Sequence, residues 1–146
     1  MPRLEMYDPD DPRNKYKEGC GFYHTFSGGE GPRVEFPSKD VRYEDLGITQ
    51  VPELALAHEM GHHKSGVGTK RPVPFFYDEV IEEELLAWEE VIRWKLPLGH
   101  WGTKERIQAA GLLGEYYRYP DHSINRRKAL RAIYKLENKV RRELEL

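Results

Sequence analysis

His58-Glu59-Met60-Gly61-His62, led in by Val51-Pro52-Glu53-Leu54-Ala55-Leu56-Ala57, is the most informative stretch of this chain. Pro52 suits the first turn of a helix, where its missing N–H costs nothing, and Glu53 suits the positive helix end. Leu54, Ala55 and Ala57 propagate a helix well, and Gly66 and Gly68 supply the glycine expected past its end. The spacing therefore predicts a helix over residues 51–64. One helical turn separates the two histidines, so both imidazoles leave the same face and can grip one Zn²⁺. Glu59 leaves about 100° further round, awkward for a ligand but well placed to take a proton from water at the ion. The bland reading is a helix whose histidines cap or pack; the coincidence of motif and helix favours a metal site, and with it a hydrolytic zinc enzyme.

Composition sets the frame for that reading. At 146 residues the chain has the size of one ordinary domain. Charged residues make up 33% and apolar ones 38%, and a formal charge of −2 argues against nucleic-acid binding by the surface as a whole. Cys20 is the single cysteine, which excludes an internal disulfide and a Cys-x-x-Cys zinc ribbon. With no leader-like start, a cytoplasmic location is expected. No apolar run approaches the roughly 20 residues that span a bilayer, so no membrane partner is expected.

Outward from the motif, residues 1–32 hold turn-forming clusters such as Asp8-Pro9-Asp10-Asp11-Pro12 and Ser27-Gly28-Gly29-Glu30-Gly31-Pro32. They predict an irregular arm that wraps the core through Phe22, Tyr23 and Phe26. Arg33-Val34-Glu35-Phe36 alternates as a strand does, and a second short strand is expected near Ile48. A loop over 65–76 holds Pro72 and Pro74, and a second helix is expected over 77–95, with Asp78 as cap candidate. Third and fourth helices follow from Thr103 to about 117 and from Ser123 or Asn125 onward, the last with Leu130, Ile133, Leu136, Val140 and Leu144 on one face. The sum is an α+β domain over 33–146, mostly helical with about four helices and a small sheet, behind an N-terminal arm.

Catalytic zinc needs a third protein ligand. A third histidine six residues after His62 would fall on Gly68, and the glycine that accompanies it on Ser65, so that class is excluded. The second helix offers Glu79, Glu82, Glu83, Glu84, Glu89 and Glu90 instead. Val80, Ile81, Ala87, Trp88, Val91 and Ile92 spread around one face with Glu84 near its centre, whereas Glu82, Glu89 and Glu90 are expected in solvent. A carboxylate on an apolar face costs several kcal/mol unless compensated, and a cation would compensate it. Glu84 is the expected ligand, with a buried salt bridge as the plain alternative and Glu83 as the fallback if the register slips.

His58-Glu59-Met60-Gly61-His62 followed by Glu84-Leu85-Leu86-Ala87-Trp88 resembles the glutamate-ligated zinc peptidases, the gluzincins. It is most similar to the small ImmA/IrrE-type metallopeptidases of phages, mobile elements and bacteria, which pair an H-E-x-G-H helix with a later E-x-x-A helix. The resemblance spans residues 33–95. It implies a minimal zincin-like fold, Zn²⁺ held by His58, His62 and Glu84, Glu59 as base, and a protein or peptide substrate. Two departures stand out. Trp88 occupies the place where the family often has Asn or Asp, and no helix-turn-helix segment is evident, which weakens any transfer of repressor cleavage.

The expected chemistry is peptide hydrolysis by metal-activated water, with Glu59 accepting the proton and returning it to the leaving amine. The strand at Val34 is a candidate to hold substrate backbone as an added strand. Tyr116, Tyr117, Tyr119, His100 and His122 are candidate oxyanion donors, and Asp78 a candidate to orient a ligand imidazole. His63 is expected to face away from the ion, and the Cys20/His24 pair is read as incidental. Two rivals remain: a zincin scaffold without proteolysis, and a partner- or nucleic-acid-binding protein using the basic last helix, with Arg126, Arg127, Lys128, Arg131, Lys135, Lys139, Arg141 and Arg142. For that helix, a solvated basic face behind a packed apolar stripe is favoured.

Overall fold

The computed structural model describes residues 1–17, 21–24 and 31–146, the side chains of residues 16 and 17 excepted. Five strands, β1 (Arg3–Tyr7), β2 (Phe22–His24), β3 (Arg33–Pro37), β4 (Val41–Tyr43) and β5 (Ile48–Gln50), precede four helices. The helices are α1 (Pro52–Ser65), α2 (Tyr77–Lys95), α3 (Thr103–Gly114) and α4 (Arg126–Leu144). The architecture is α+β, helix-rich with small sheets, as the periodicities predict.

The first 32 residues depart from expectation. β1 runs parallel to β3, pairing Leu4 with Val34, and β2 runs antiparallel to it, pairing Tyr23 with Val34. The cluster at residues 8–12 does turn, leading into a short 3-10 helix over Pro12–Lys17, while residues 27–30 of the second cluster lie outside the described residues; the strands of the arm are too short to show a period of their own. Phe26 and Cys20 lie outside the described residues. With the order β1-β3-β2, both sides of β3 are already paired, so no substrate strand can add at Val34. Among the described residues, β1 and β2 form the two edges of this sheet. β5 appears where a strand near Ile48 is expected, paired with β4.

Local chemistry explains the helix ends. Pro52 opens α1, and Gly66, at φ +85°, takes the left-handed conformation that ends it. At the start of α2 it is Glu79, not Asp78, whose carboxylate accepts the backbone N–H groups of Phe75 at 3.1 Å and Phe76 at 3.5 Å. Gly102 precedes α3, which makes Thr103 its first residue rather than its cap, and α3 stops at Gly114. Asn125 caps α4, its side-chain oxygen accepting the N–H of Lys128 at 3.1 Å.

α1 packs on α2 on one side and on β3 and β2 on the other, while α4 lies across both α2 and α3. Leu54, Ala57, Trp88, Ile92, Leu113 and Ile133 form the core where the helices meet. α4 buries Ala129, Ile133 and Val140, and its end emerges into solvent at Leu144. Its apolar stripe therefore faces the core, as expected. One expectation fails: Glu89 is buried, not solvated. α4 covers that side of α2, and Lys139 Nζ meets Glu89 Oε1 at 2.6 Å, with Arg93 at 3.3 Å from Oε2. Likewise Glu137 is buried against Arg106 at 2.8 Å. Among the described residues no helix is long and apolar enough to cross a membrane.

Candidate metal centre

The histidines of α1 and the carboxylates of α2 face one another across the contact between these helices. His58 Nε2 lies 2.8 Å from Glu84 Oε2, and His62 Nε2 lies 3.2 Å from Glu84 Oε1. One ligand atom from each of His58, His62 and Glu84 falls within 4.8 Å of the others, the only such group of three among the described residues. The three side chains are 11–12% exposed, enough to be reached from a cleft and too little to be solvated freely. Two imidazole nitrogens and a carboxylate oxygen make a donor set that suits zinc and leaves further coordination positions open. The group can therefore hold a metal ion.

Electrostatics tie the group together. Burial works against the His62 cation, yet the carboxylates of Glu83 and Glu84 outweigh it and lift its pKa to about 10. Burial also works against an ionised Glu84, but His58 and His62 hold its carboxyl well below the usual range. Glu59 behaves differently. Its carboxyl is buried, which raises its pKa against the pull of both histidines. It lies 3.4 Å from His58 Nδ1, stays outside the group of three, and accepts the backbone N–H of Tyr23 on β2.

Glu83 proves to be a separate device from Glu84. Its Oε1 lies 3.2 Å from His62 Nδ1 and accepts the Ser65 hydroxyl at 2.7 Å, while Arg71 pairs with its other oxygen. Arg71 in turn donates to the Ser65 carbonyl at 2.7 Å, so the loop after α1 fixes the carboxylate that fixes His62. Asp78, the sequence candidate for this role, stands exposed in the first turn of α2. Glu83 sits at the edge of the helical face next to Glu84, a readable position; nothing in the sequence singles out Arg71.

His58 is held by stacking. The Trp88 ring lies parallel to its imidazole at 7°, with centroids 4.4 Å apart. Thus the residue that departs from the resembled pattern contributes a flat wall instead of a hydrogen bond. His63 turns away from the group, its Nδ1 3.2 Å from the Tyr23 hydroxyl.

Around these residues opens a cleft of about 550 Å³, lined on one side by Phe22, Tyr23 and His24 of β2 and on others by Val73, Pro74 and Tyr116. The Tyr116 hydroxyl donates to Glu84 Oε1 at 3.5 Å, and burial followed by the Glu84 charge pushes its pKa up, keeping it a donor. Of the five oxyanion candidates only Tyr116 lines the cleft; Tyr119, His100 and His122 are exposed elsewhere. Compared with known proteins, the chain matches no family model, no curated protein and no solved structure.

Proposed function

We propose that this chain is a zinc-dependent peptidase of the small gluzincin kind, similar to the ImmA/IrrE-type enzymes, acting on protein or peptide substrates. The observation that carries the reading is the meeting of His58, His62 and Glu84 in the wall of a cleft, with Glu59 buried beside them yet outside the ligand group. Zinc held by these three side chains would supply Lewis acidity, acidifying water and polarising a carbonyl. Glu59 is the base: its carboxylate lies beside His58 without joining the ligand group, placed to take a proton from water and hand it to the leaving amine. Tyr116 is positioned to donate to an oxyanion, since its hydroxyl already reaches toward the ligand group. The edge of β2 along the cleft would bind an extended substrate by main-chain hydrogen bonds.

The test is metal content together with hydrolysis. The purified chain should carry one zinc per molecule, lost in His58→Ala, and the zinc-loaded chain should cleave an unfolded protein such as reduced, alkylated casein. Stoichiometric zinc without cleavage of any unfolded substrate would leave a metal-binding scaffold in place of an enzyme.

A further inference from the structure

Five consecutive residues at 73–77, Val73, Pro74, Phe75, Phe76 and Tyr77, run from the cleft out into solvent. Phe75 is 87% exposed, Phe76 66%, Val73 64% and Tyr77 58%. Apolar side chains so grouped and so bare mark a recognition surface more often than filler. Local contacts hold them there. Glu79 accepts the backbone N–H groups of both Phe75 and Phe76, and the two rings pack edge to face with centroids 5.4 Å apart. The two rings are thus packed on each other and not onto the core.

The apolar surface continues inward. Val73 and Pro74 belong to both the rim and the cleft wall, and Val67, Val80 and Leu112 carry the same lining toward His58 and Glu84. We infer that residues 73–77 are the substrate-capturing rim of the site, selecting extended polypeptide segments that carry large aliphatic or aromatic side chains beside the bond to be cut. The inference rests on the peptidase reading for what happens after capture, but capture itself requires only the rim and the cleft. A second copy of the chain is a poorer occupant, because five side chains fall short of the about 800 Å² per partner that a standard interface covers. An anionic lipid surface is poorer still: Asp78, Glu79 and Glu82 follow the rim, and of the two cations before it, Lys70 and Arg71, the second is already paired with Glu83.

The experiment is peptide binding by fluorescence anisotropy, using the zinc-loaded full chain carrying Glu59→Gln so that nothing is consumed. Two labelled decapeptides of equal charge would be compared, one with Leu and Phe at its centre and one with Ser and Gly there. The apolar peptide should bind at least tenfold tighter. Phe75→Ser with Phe76→Ser should cut that preference below threefold at unchanged zinc content, and Phe75→Leu with Phe76→Leu should restore most of it. Equal binding of the two peptides, or a preference that survives the serine pair, overturns the proposal. So does a dimer in sedimentation, or binding to phosphatidylserine vesicles, that the serine pair abolishes. Preferential capture by a chain whose zinc-loaded parent hydrolyses nothing would sink the peptidase reading and leave the rim intact.

Discussion

A Cβ placed on Gly61 would lie 2.4 Å from the carbonyl oxygen of Ala87. The glycine inside the motif and the alanine three residues after Glu84 are therefore two halves of one contact, at which α1 and α2 approach closely enough for two imidazoles and a carboxylate to meet. Gly61→Ala should force the helices apart. Overpacking of this kind costs about 1–3 kcal/mol, read as a lower midpoint in urea unfolding, and the variant should also lose zinc. A variant with the parent's midpoint and the parent's metal content would show that the approach is not as tight as described.

Glu59 tests the division between ligand and base. Glu59→Gln should keep its zinc, because the ligand group does not include it, while turnover falls by about 10²- to 10⁴-fold. Loss of metal in this variant would move Glu59 into the ligand group and remove it as the base.

The Arg71–Glu83–His62 chain tests orientation. Glu83→Ala should weaken zinc binding by about 10- to 100-fold, the usual consequence of removing the carboxylate behind a ligand imidazole. Arg71→Ala should act in the same direction, and competition with a chromophoric chelator measures both. Unchanged affinity in both variants would reduce the network to a structural tie between α2 and the loop.

Metal removal should be visible in stability. An ion at a hundred times its dissociation constant stabilises the folded chain by about 2.7 kcal/mol. A chelator should therefore lower the Tm of the zinc-loaded parent and leave His58→Ala or Glu84→Ala unmoved. A chelator shift of equal size in those variants would place the stabilising ion elsewhere.

α4 offers a prediction away from the site. Arg106 donates to Glu137, which is 3% exposed, from both Nε at 3.1 Å and a terminal nitrogen at 2.8 Å. Glu137→Ala should cost about 1–3 kcal/mol by leaving the partly buried Arg106 guanidinium without its acceptor. Replacing both partners, Arg106→Met with Glu137→Leu, should recover much of it in denaturant unfolding; a double variant as unstable as the single one would argue against that account.

The sequence was most readable where one helix carries its own signals. Pro52, Gly66 and the histidine spacing place α1 within a residue of its observed ends, and the apolar face of α2 singles out Glu84 because burial of a carboxylate demands a reason. Glu89 was not readable. A helix wedged between α1 and α4 is buried on two sides, so no clean polar face remains, and the partner that neutralises Glu89 lies fifty residues away at Lys139. β1 and β2 escaped for a related reason: a short strand gains its stability from its neighbour, and the partner of β1 is the distant β3, while β2 has only three residues and no pattern of its own. Arg71 sits in a loop without periodicity, and only the folded chain shows that it reaches Glu83.

The parallel rings of Trp88 and His58 give the molecule an optical gauge. Only two other indoles compete with it, Trp94 near the surface and Trp101, whose centroid is 6.5 Å from that of Trp88. An ion held by His58 would change the charge lying against the Trp88 π-face. Intrinsic emission should thus follow zinc titrated into the unlabelled chain, and unchanged emission at full zinc loading would contradict this.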